Sequence, residues 1–101
     1  MNVLLVCSGG MSSAIVVKAI QGEAGKQGLD INVKSIGAGE LRDQLKGNWD
    51  VLLVAPQVRH RLAEFQDAAA ESGVPVALIP PQGYSPLGGA TVIAEIRKIV
   101  K

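Results

Sequence analysis

Four short apolar segments alternate along the chain with stretches in which apolar residues repeat at helical spacing. The apolar segments predict β-strands at 2–7, 31–37, 50–56 and 74–80. The first and third segments are apolar almost throughout, which is typical of strands buried on both faces in the centre of a parallel sheet. The second segment alternates polar and apolar residues, so it predicts an edge strand.

The intervening stretches have the periodicity of amphipathic helices, most clearly over 57–72. The apolar positions of that stretch are Val58, Leu62, Phe65 and Ala69. A first helix is predicted to begin near Gly10 or Met11 and to end at the Gly-Lys-Gln-Gly segment 25–28. Leu41 and Leu45 indicate a short second helix. A fourth helix is marked by Val92, Ile96 and Val100.

The order of these elements predicts the fold. Strands that alternate with helices and are joined by right-handed crossovers form a parallel sheet with helices on both faces. We therefore expect residues 1–101 to form one domain, a four-stranded, flavodoxin-like doubly wound α/β protein. Such sheets place their sites outside the carboxyl ends of the strands, where the winding direction reverses. That point lies beside the first strand, which ends at Cys7.

Composition and charge exclude several classes of function. The net charge is +1, and the basic residues are scattered among acidic ones rather than collected on one face, which argues against a nucleic-acid partner. The apolar runs are strand-sized, so neither a membrane span nor membrane insertion is expected. The chain shows no secretory signal, and a lone cysteine cannot form an internal disulfide. A cytoplasmic location is the expectation.

The single cysteine stands at the turn from the first strand into the first helix. The first N–H groups of a helix are unpaired and attract anions, and adjacent glycines let the backbone approach an oxyanion closely. The turn therefore predicts a phosphate-binding loop, and the positive helix end should favour thiolate at Cys7. We expect Cys7 to attack phosphorus. The loop residues are Ser8, Gly9, Gly10, Met11, Ser12 and Ser13.

Other classes of protein with a first-strand site need residues that this chain lacks. A low-molecular-weight phosphatase or arsenate reductase has the pattern C-x5-R, but Ser13 occupies the arginine position. A receiver domain needs carboxylates at the ends of strands one and three, and a redox protein normally has a second cysteine. Two alternatives stay open: a phosphatase-like or reductase-like enzyme, and a non-enzymatic flavodoxin-like binding module in which Cys7 is an inert buried residue.

Two segments resemble a known family. NVLLVCSGGMSSAIVVKAI at 2–20 is similar to the amino-terminal motif of the enzyme IIB components of the bacterial phosphoenolpyruvate-dependent sugar phosphotransferase system, lactose/cellobiose (chitobiose) type. DVLLVAPQV at 50–58 resembles the second characteristic stretch of the same family. In the segment IPPQGYSPLGG, Tyr84 is followed by Ser85, where the family commonly has a Tyr-Gly pair.

The resemblance implies a phosphoryl relay with no metal and no organic cofactor. Cys7 would accept a phosphoryl group from a phosphohistidine of enzyme IIA. It would donate that group to a sugar, expected to be a β-linked disaccharide, held by the membrane-embedded enzyme IIC. Residues 8–13 would bind the phosphoryl group, while Pro56, Gln57 and Tyr84 would border the site. The protein would then associate peripherally with its membrane transporter.

Three charged residues follow Gln57 in the third helical stretch. His60 lies off the core-facing stripe, which predicts a solvated surface histidine. Arg59 and Arg61 either dock an acidic partner or form part of a solvated face.

Overall fold

The computed structural model describes residues 1–7, 12–84 and 88–99, and for Ser12, Ser13 and Gln82 it describes the backbone. Within these residues, four strands form one parallel sheet in the order β2-β1-β3-β4. The strands are β1 (Asn2–Cys7), β2 (Asn32–Gly37), β3 (Val51–Val54) and β4 (Val76–Leu78). The flavodoxin-like doubly wound sheet is therefore confirmed.

Helices cover both faces of the sheet. The described residues form α1 (Ser12–Lys26), α2 (Leu41–Gln44), α3 (Leu62–Glu71) and α4 (Gly89–Ile99). Helix α1 packs against α4, and α2 packs against α3, so the helices form two layers on either side of the sheet. Short 3-10 helices at Ala38–Glu40, Pro56–Arg61 and Pro81–Gly83 follow β2, β3 and β4.

The hydrophobic pattern of the strands matches their burial. From Val3 to Cys7 every residue of β1 is buried, and so is every residue of β3, as expected for central strands. Strand β2 lies at an edge and exposes Asn32 and Lys34, which confirms its predicted place. Phe65 of α3 is among the largest fully buried side chains. Burial of this apolar surface is the main stabilising contribution to the fold.

Prolines make two strands shorter than predicted. Strand β4 was expected over 74–80, but it spans Val76–Leu78 between Pro75 and Pro80. Strand β3 was expected to reach residue 56, but it ends at Val54, and Pro56 begins a 3-10 helix. Proline has no N–H group to donate to a neighbouring strand, so it limits the ladder at these positions.

The third helical stretch, predicted as one helix over 57–72, is divided in two. A 3-10 helix covers Pro56–Arg61, and the α-helix begins only at Leu62. Val58 has φ −117° and ψ 18°, outside helical geometry, and this β-branched residue interrupts the segment. Its side chain is nevertheless buried, so the apolar stripe still faces the core.

Glycines end two helices where the sequence places them. Gly28 after α1 has φ +71°, and Gly73 after α3 has φ +70°, a left-handed conformation that favours glycine. Beyond each glycine the chain folds back, and the Leu29 N–H donates to the Ala24 carbonyl at 2.8 Å. The predicted start of α1 at Gly10 or Met11, and Val100 in the fourth helix, lie outside the described residues.

Candidate functional site

Cys7 is the last residue of β1, at the carboxyl end of a central strand. It pairs with Gly37 of β2 on one side, and on the other side the Ala55 N–H donates to the Val6 carbonyl at 3.0 Å. After β1 the chain crosses to β2 on one side of β1, and after β2 it crosses back to β3 on the other side of β1. Cys7 therefore stands at the switch point of the sheet, where doubly wound proteins bind their ligands.

The thiol is in contact with the neighbouring strand. Cys7 Sγ donates a hydrogen bond to the Ile36 carbonyl of β2 at a sulfur–oxygen distance of 3.4 Å. Only 3% of the residue is exposed. This contact anchors the side chain to the sheet at its carboxyl end. Burial alone would equally suit an inert cysteine, so a chemical role for this thiol stays a prediction.

The predicted phosphate-binding loop is described in part. Ser8, Gly9, Gly10 and Met11 lie outside the described residues, and the side chains of Ser12 and Ser13 do as well. The backbone of Ser12 and Ser13 opens α1, a helix of 15 residues. Four residues, 8–11, stand between Cys7 and the start of α1 in the sequence. The role of 8–13 in binding phosphate remains a prediction.

The β3 side of the site carries Pro56 and Gln57. Because β3 neighbours β1, the residues that follow Val54 come to the same end of the sheet as Cys7. Pro56 opens the 3-10 helix and is half-buried, while Gln57 is exposed. That Pro56 and Gln57 border the site stays a prediction. A contact of Gln57 with a phosphoryl group stays a prediction.

Tyr84 closes the 3-10 helix that follows β4. Its ring is partly buried against the hydrophobic core, and its hydroxyl oxygen lies out of contact with solvent. The side chain therefore contributes to packing in this structure, and its predicted role at the border of the site stays a prediction.

The three charged residues of the β3–α3 connection have different surroundings. His60 is exposed, as predicted, and so is Arg59. Arg61 donates two hydrogen bonds of 2.9 Å to the Glu64 carboxylate, and its guanidinium lies 5.3 Å from the centre of the Phe65 ring. These hydrogen bonds and the charge of Arg61 lower the pKa of Glu64, and the same contacts raise the pKa of Arg61.

Glu40 lies nearer to the site than its place in the sequence suggested. Its carboxylate accepts a hydrogen bond of 3.3 Å from the N–H of Gly37, the residue paired with Cys7. The spacing Gly37-Ala-Gly-Glu40, a carboxylate three residues after the end of a strand, was the available signal.

Two further classes of site are absent from the described ranges. There, no group of three or more histidine, cysteine, aspartate or glutamate side chains could hold a metal ion. The helices in this part of the chain also include none with the length and apolarity needed to span a membrane.

Comparison with known proteins connects this architecture to a family. The family model for the lactose/cellobiose-specific IIB subunit of the PTS system matches residues 2–95. The galactose-specific EIIB component of Lactococcus lactis subsp. cremoris (strain MG1363) is 29% identical over 97% of this chain and 94% of that protein. The oligo-beta-mannoside-specific EIIB component of Bacillus subtilis (strain 168) is 25% identical over 87% of this chain and 84% of that protein.

Two solved structures share the fold. The cellobiose-specific IIB component of Borrelia burgdorferi superposes with a TM-score of 0.77 at 27% identity, covering 99% of this chain and 91% of that one. The lactose-specific IIB component domain of Streptococcus pneumoniae gives a TM-score of 0.77 at 24% identity, covering 94% of this chain and 96% of that one.

Fold and site together define a small doubly wound α/β protein with its one thiol at the switch point of the sheet. The family model spans almost the whole sequence. The chain belongs to the lactose/cellobiose-specific IIB subunits of the PTS system. It is therefore one component of that system and functions together with the other components.

Proposed function

We propose that this IIB subunit carries a phosphoryl group on Cys7 between two partners, enzyme IIA and the membrane-embedded enzyme IIC. The observation that carries the proposal is the position of the only cysteine, at the carboxyl end of the central strand β1 and at the switch point of the sheet. The family match supports the proposal, because it makes this chain a IIB subunit of the PTS system.

In the first transfer, the Cys7 thiolate attacks the phosphorus of a phosphohistidine on enzyme IIA. The sulfur–phosphorus bond forms as the nitrogen–phosphorus bond breaks, and the imidazole leaves with the electron pair of the broken bond. The loop at 8–13, together with the start of α1, binds the oxygens of the transferring group. The product is a phosphocysteine.

In the second transfer, a sugar hydroxyl attacks the same phosphorus. The oxygen–phosphorus bond forms, the sulfur–phosphorus bond breaks, and Cys7 leaves as a thiolate while the hydroxyl proton passes to a base. Thiolate is a good leaving group, so the phosphocysteine can return the group readily to an oxygen acceptor. The sugar is bound by enzyme IIC, and a β-linked disaccharide is the proposed class.

Both partners must reach the same sulfur, so they bind at the carboxyl end of the sheet in turn. Pro56 and Gln57 lie at this end and are proposed contacts of the phosphoryl group or of a partner. The reaction needs no metal and no organic cofactor. The proposed location is cytoplasmic, in peripheral association with the membrane transporter.

The relay is tested by the formation of sugar phosphate. Phosphoenolpyruvate, the general phosphotransferase proteins, the cognate enzyme IIA and membranes that contain enzyme IIC are combined with sugar, with and without this subunit. We expect sugar phosphate only when the native subunit is present, and none when it is replaced by Cys7→Ser. Gln57→Ala serves as a matched variant at the same end of the sheet, and it should keep measurable transfer.

Equal sugar phosphate with Cys7→Ser would overturn the proposal, as would none with the native chain when enzyme IIA is shown to be phosphorylated. Hydrolysis of a chromogenic aryl phosphate by the native chain, lost in Cys7→Ser, would favour the phosphatase-like alternative instead. Resistance of Cys7 to alkylation at neutral pH in the native chain would favour an inert cysteine.

A further inference from the structure

The two helical layers differ in charge. Helices α1 and α4 together carry four basic residues against two acidic ones, Glu23 and Glu95. The basic residues are Lys18, Lys26, Arg97 and Lys98. Helices α2 and α3 carry one basic residue, Arg42, against four acidic ones. This difference between the layers does not follow from the sequence pattern, because the fold brings together α1 and α4 from opposite ends of the chain.

The positive charge of the α1–α4 layer is only partly neutralised. Lys98 pairs with Glu95 at 3.2 Å, and Arg97 donates to the Gln27 side chain at 3.2 Å, which links the two helices. Lys18 and Lys26 are exposed and form no ion pair within the described residues. Glu23 lines the same groove as Lys18 and Lys26. The four basic and two acidic residues leave the layer a net charge of +2, which attracts an anionic surface.

The shape of the α1–α4 layer suits contact with a broad, flat partner. Small residues, among them Gly22, Ala90 and Ala94, line the shallow grooves between α1 and α4, and the basic side chains stand at the margins of these grooves. Two large apolar side chains are also exposed on these helices. Ile15 near the start of α1 is 52% exposed, and Ile99 at the end of α4 is 36% exposed.

We propose that the α1–α4 face adsorbs to an anionic lipid surface. Lys18, Lys26, Arg97 and Lys98 would lie against the headgroups, and Ile99 would enter the boundary between headgroups and acyl chains. Each basic residue near an anionic membrane adds to the attraction, and exposed apolar side chains strengthen it further. Neither α1 nor α4 contains an aromatic residue on which bases could stack, so lipid is favoured over single-stranded nucleic acid.

Adsorption through this face leaves the site free. Helices α1 and α4 cover one face of the sheet, whereas Cys7 lies at the carboxyl end of the strands. A lipid surface against the helices would thus hold the subunit near a membrane without covering the end where the phosphoryl group is transferred. The inference goes beyond the proposed relay and uses none of its residues.

Vesicle binding tests the inference. The intact chain is sedimented with phosphatidylglycerol–phosphatidylcholine vesicles and with phosphatidylcholine vesicles at low ionic strength. We expect binding to the anionic vesicles alone, and its loss at about 1 M salt, where the Debye length is about 3 Å. The variant Lys18→Gln/Lys26→Gln/Arg97→Gln should bind about a hundredfold more weakly, because three attractive charges are lost.

The matched control removes the same number of charges from the other side of the molecule. Arg42→Gln/Lys46→Gln/Arg59→Gln should keep anionic binding within a few-fold of the native chain, and circular dichroism checks that both variants fold. Equal losses in the two variants, or equal binding to neutral vesicles, would overturn the proposal. Tighter binding to a single-stranded DNA homopolymer than to the vesicles would overturn it in favour of nucleic acid. Cys7→Ser should bind vesicles as the native chain does, whatever the fate of the relay.

Discussion

The two ends of the parallel sheet are held by different kinds of contact. At the amino end, polar side chains bond to the backbone of distant segments: Asp50 accepts from the Asn2 N–H at 2.6 Å, and Asn2 Nδ2 donates to the Asn48 carbonyl at 3.1 Å. The Trp49 indole N–H donates to the Gln44 carbonyl there as well. At the carboxyl end, backbone turns and 3-10 helices follow the strands, and Cys7 lies among them.

The difference indicates that contacts at the amino end of the sheet contribute to stability, whereas the proposed chemistry takes place at the carboxyl end. Side chains at the amino end join the starts of β1 and β3 to the end of α2, and they are far along the strands from the thiol. The carboxyl end supplies strand ends and helix starts, whose unpaired N–H groups suit an anion. A doubly wound sheet thus allows changes at one end that leave the other intact. The following variants test that separation.

The largest effect is expected for Cys7→Ser, at the carboxyl end. Phosphoryl transfer through the subunit should fall below detection, because a serine hydroxyl is a far weaker nucleophile than a thiolate. The serine hydroxyl can still donate to the Ile36 carbonyl, so the free energy of unfolding should change by only about 1 kcal/mol. Transfer assays and urea unfolding measure the two quantities. If Cys7→Ser lost the folded state and not transfer alone, the claim that the two ends of the sheet have separate roles would be contradicted.

Gly89→Ala should have the next largest effect. A Cβ atom at Gly89 would clash with the Ala19 backbone and contact the Glu23 side chain, because α4 begins in close contact with α1. We expect a loss of about 1–3 kcal/mol in the free energy of unfolding, measured with urea.

Gly22→Ala is the matched control for that variant. Gly22 lies in α1, and a Cβ atom there would meet nothing within 4 Å. Alanine should stabilise the helix by about 0.5–1 kcal/mol. A Gly89→Ala variant as stable as the native chain would contradict the close contact between the start of α4 and α1.

Asp50→Ala tests the amino end. It removes the carboxylate that accepts from the Asn2 N–H, so we expect a loss of about 1 kcal/mol in stability. Phosphoryl transfer by the folded protein should be unchanged. Asp50→Asn keeps an acceptor oxygen and should recover part of the stability. A fall in transfer that exceeds the loss of folded protein would contradict the separation of the two ends.

The smallest effect concerns the ion pair between Arg61 and Glu64. Its hydrogen bonds lower the pKa of Glu64, so the folded state binds the carboxyl proton less readily than the unfolded state does. The pair therefore stabilises the protein above the ordinary carboxyl pKa of about 4.3, and this contribution is lost as the pH falls through the lowered value. Both side chains are substantially exposed, so the effect is small.

Glu64→Gln should accordingly be slightly less stable than the native chain near neutral pH and should match it in acid. Urea midpoints at the two pH values measure this. The control is the double variant Arg61→Gln/Glu64→Gln. Its loss in the free energy of unfolding should be no larger than the summed losses of the Arg61→Gln and Glu64→Gln single variants. If the difference in urea midpoint between Glu64→Gln and the native chain grew on acidification, the lowered pKa of Glu64 would be contradicted.

Much of the fold followed from local pattern, because the apolar runs of β1 and β3 and the alternation of β2 directly reflect burial. The strand order and the position of Cys7 followed from topology. The prolines were visible in the sequence, but we did not use Pro75 and Pro80 to limit β4, and Val58 gave no sign of the break before α3. The hydrogen bond between Asp50 and Asn2 and the charge of the α1–α4 layer both depend on residues that are remote in sequence. Neither could be predicted before the fold was known.

The phosphocysteine is the central claim, and the most direct test is the intact mass of the native chain after incubation with phosphoenolpyruvate, the general phosphotransferase proteins and enzyme IIA. The account predicts a gain of one phosphoryl group, mapped by peptide mass spectrometry to Cys7 and lost when enzyme IIC and sugar are added. A phosphoryl group on His60 or any residue other than Cys7, or no gain beside phosphorylated enzyme IIA, would contradict it.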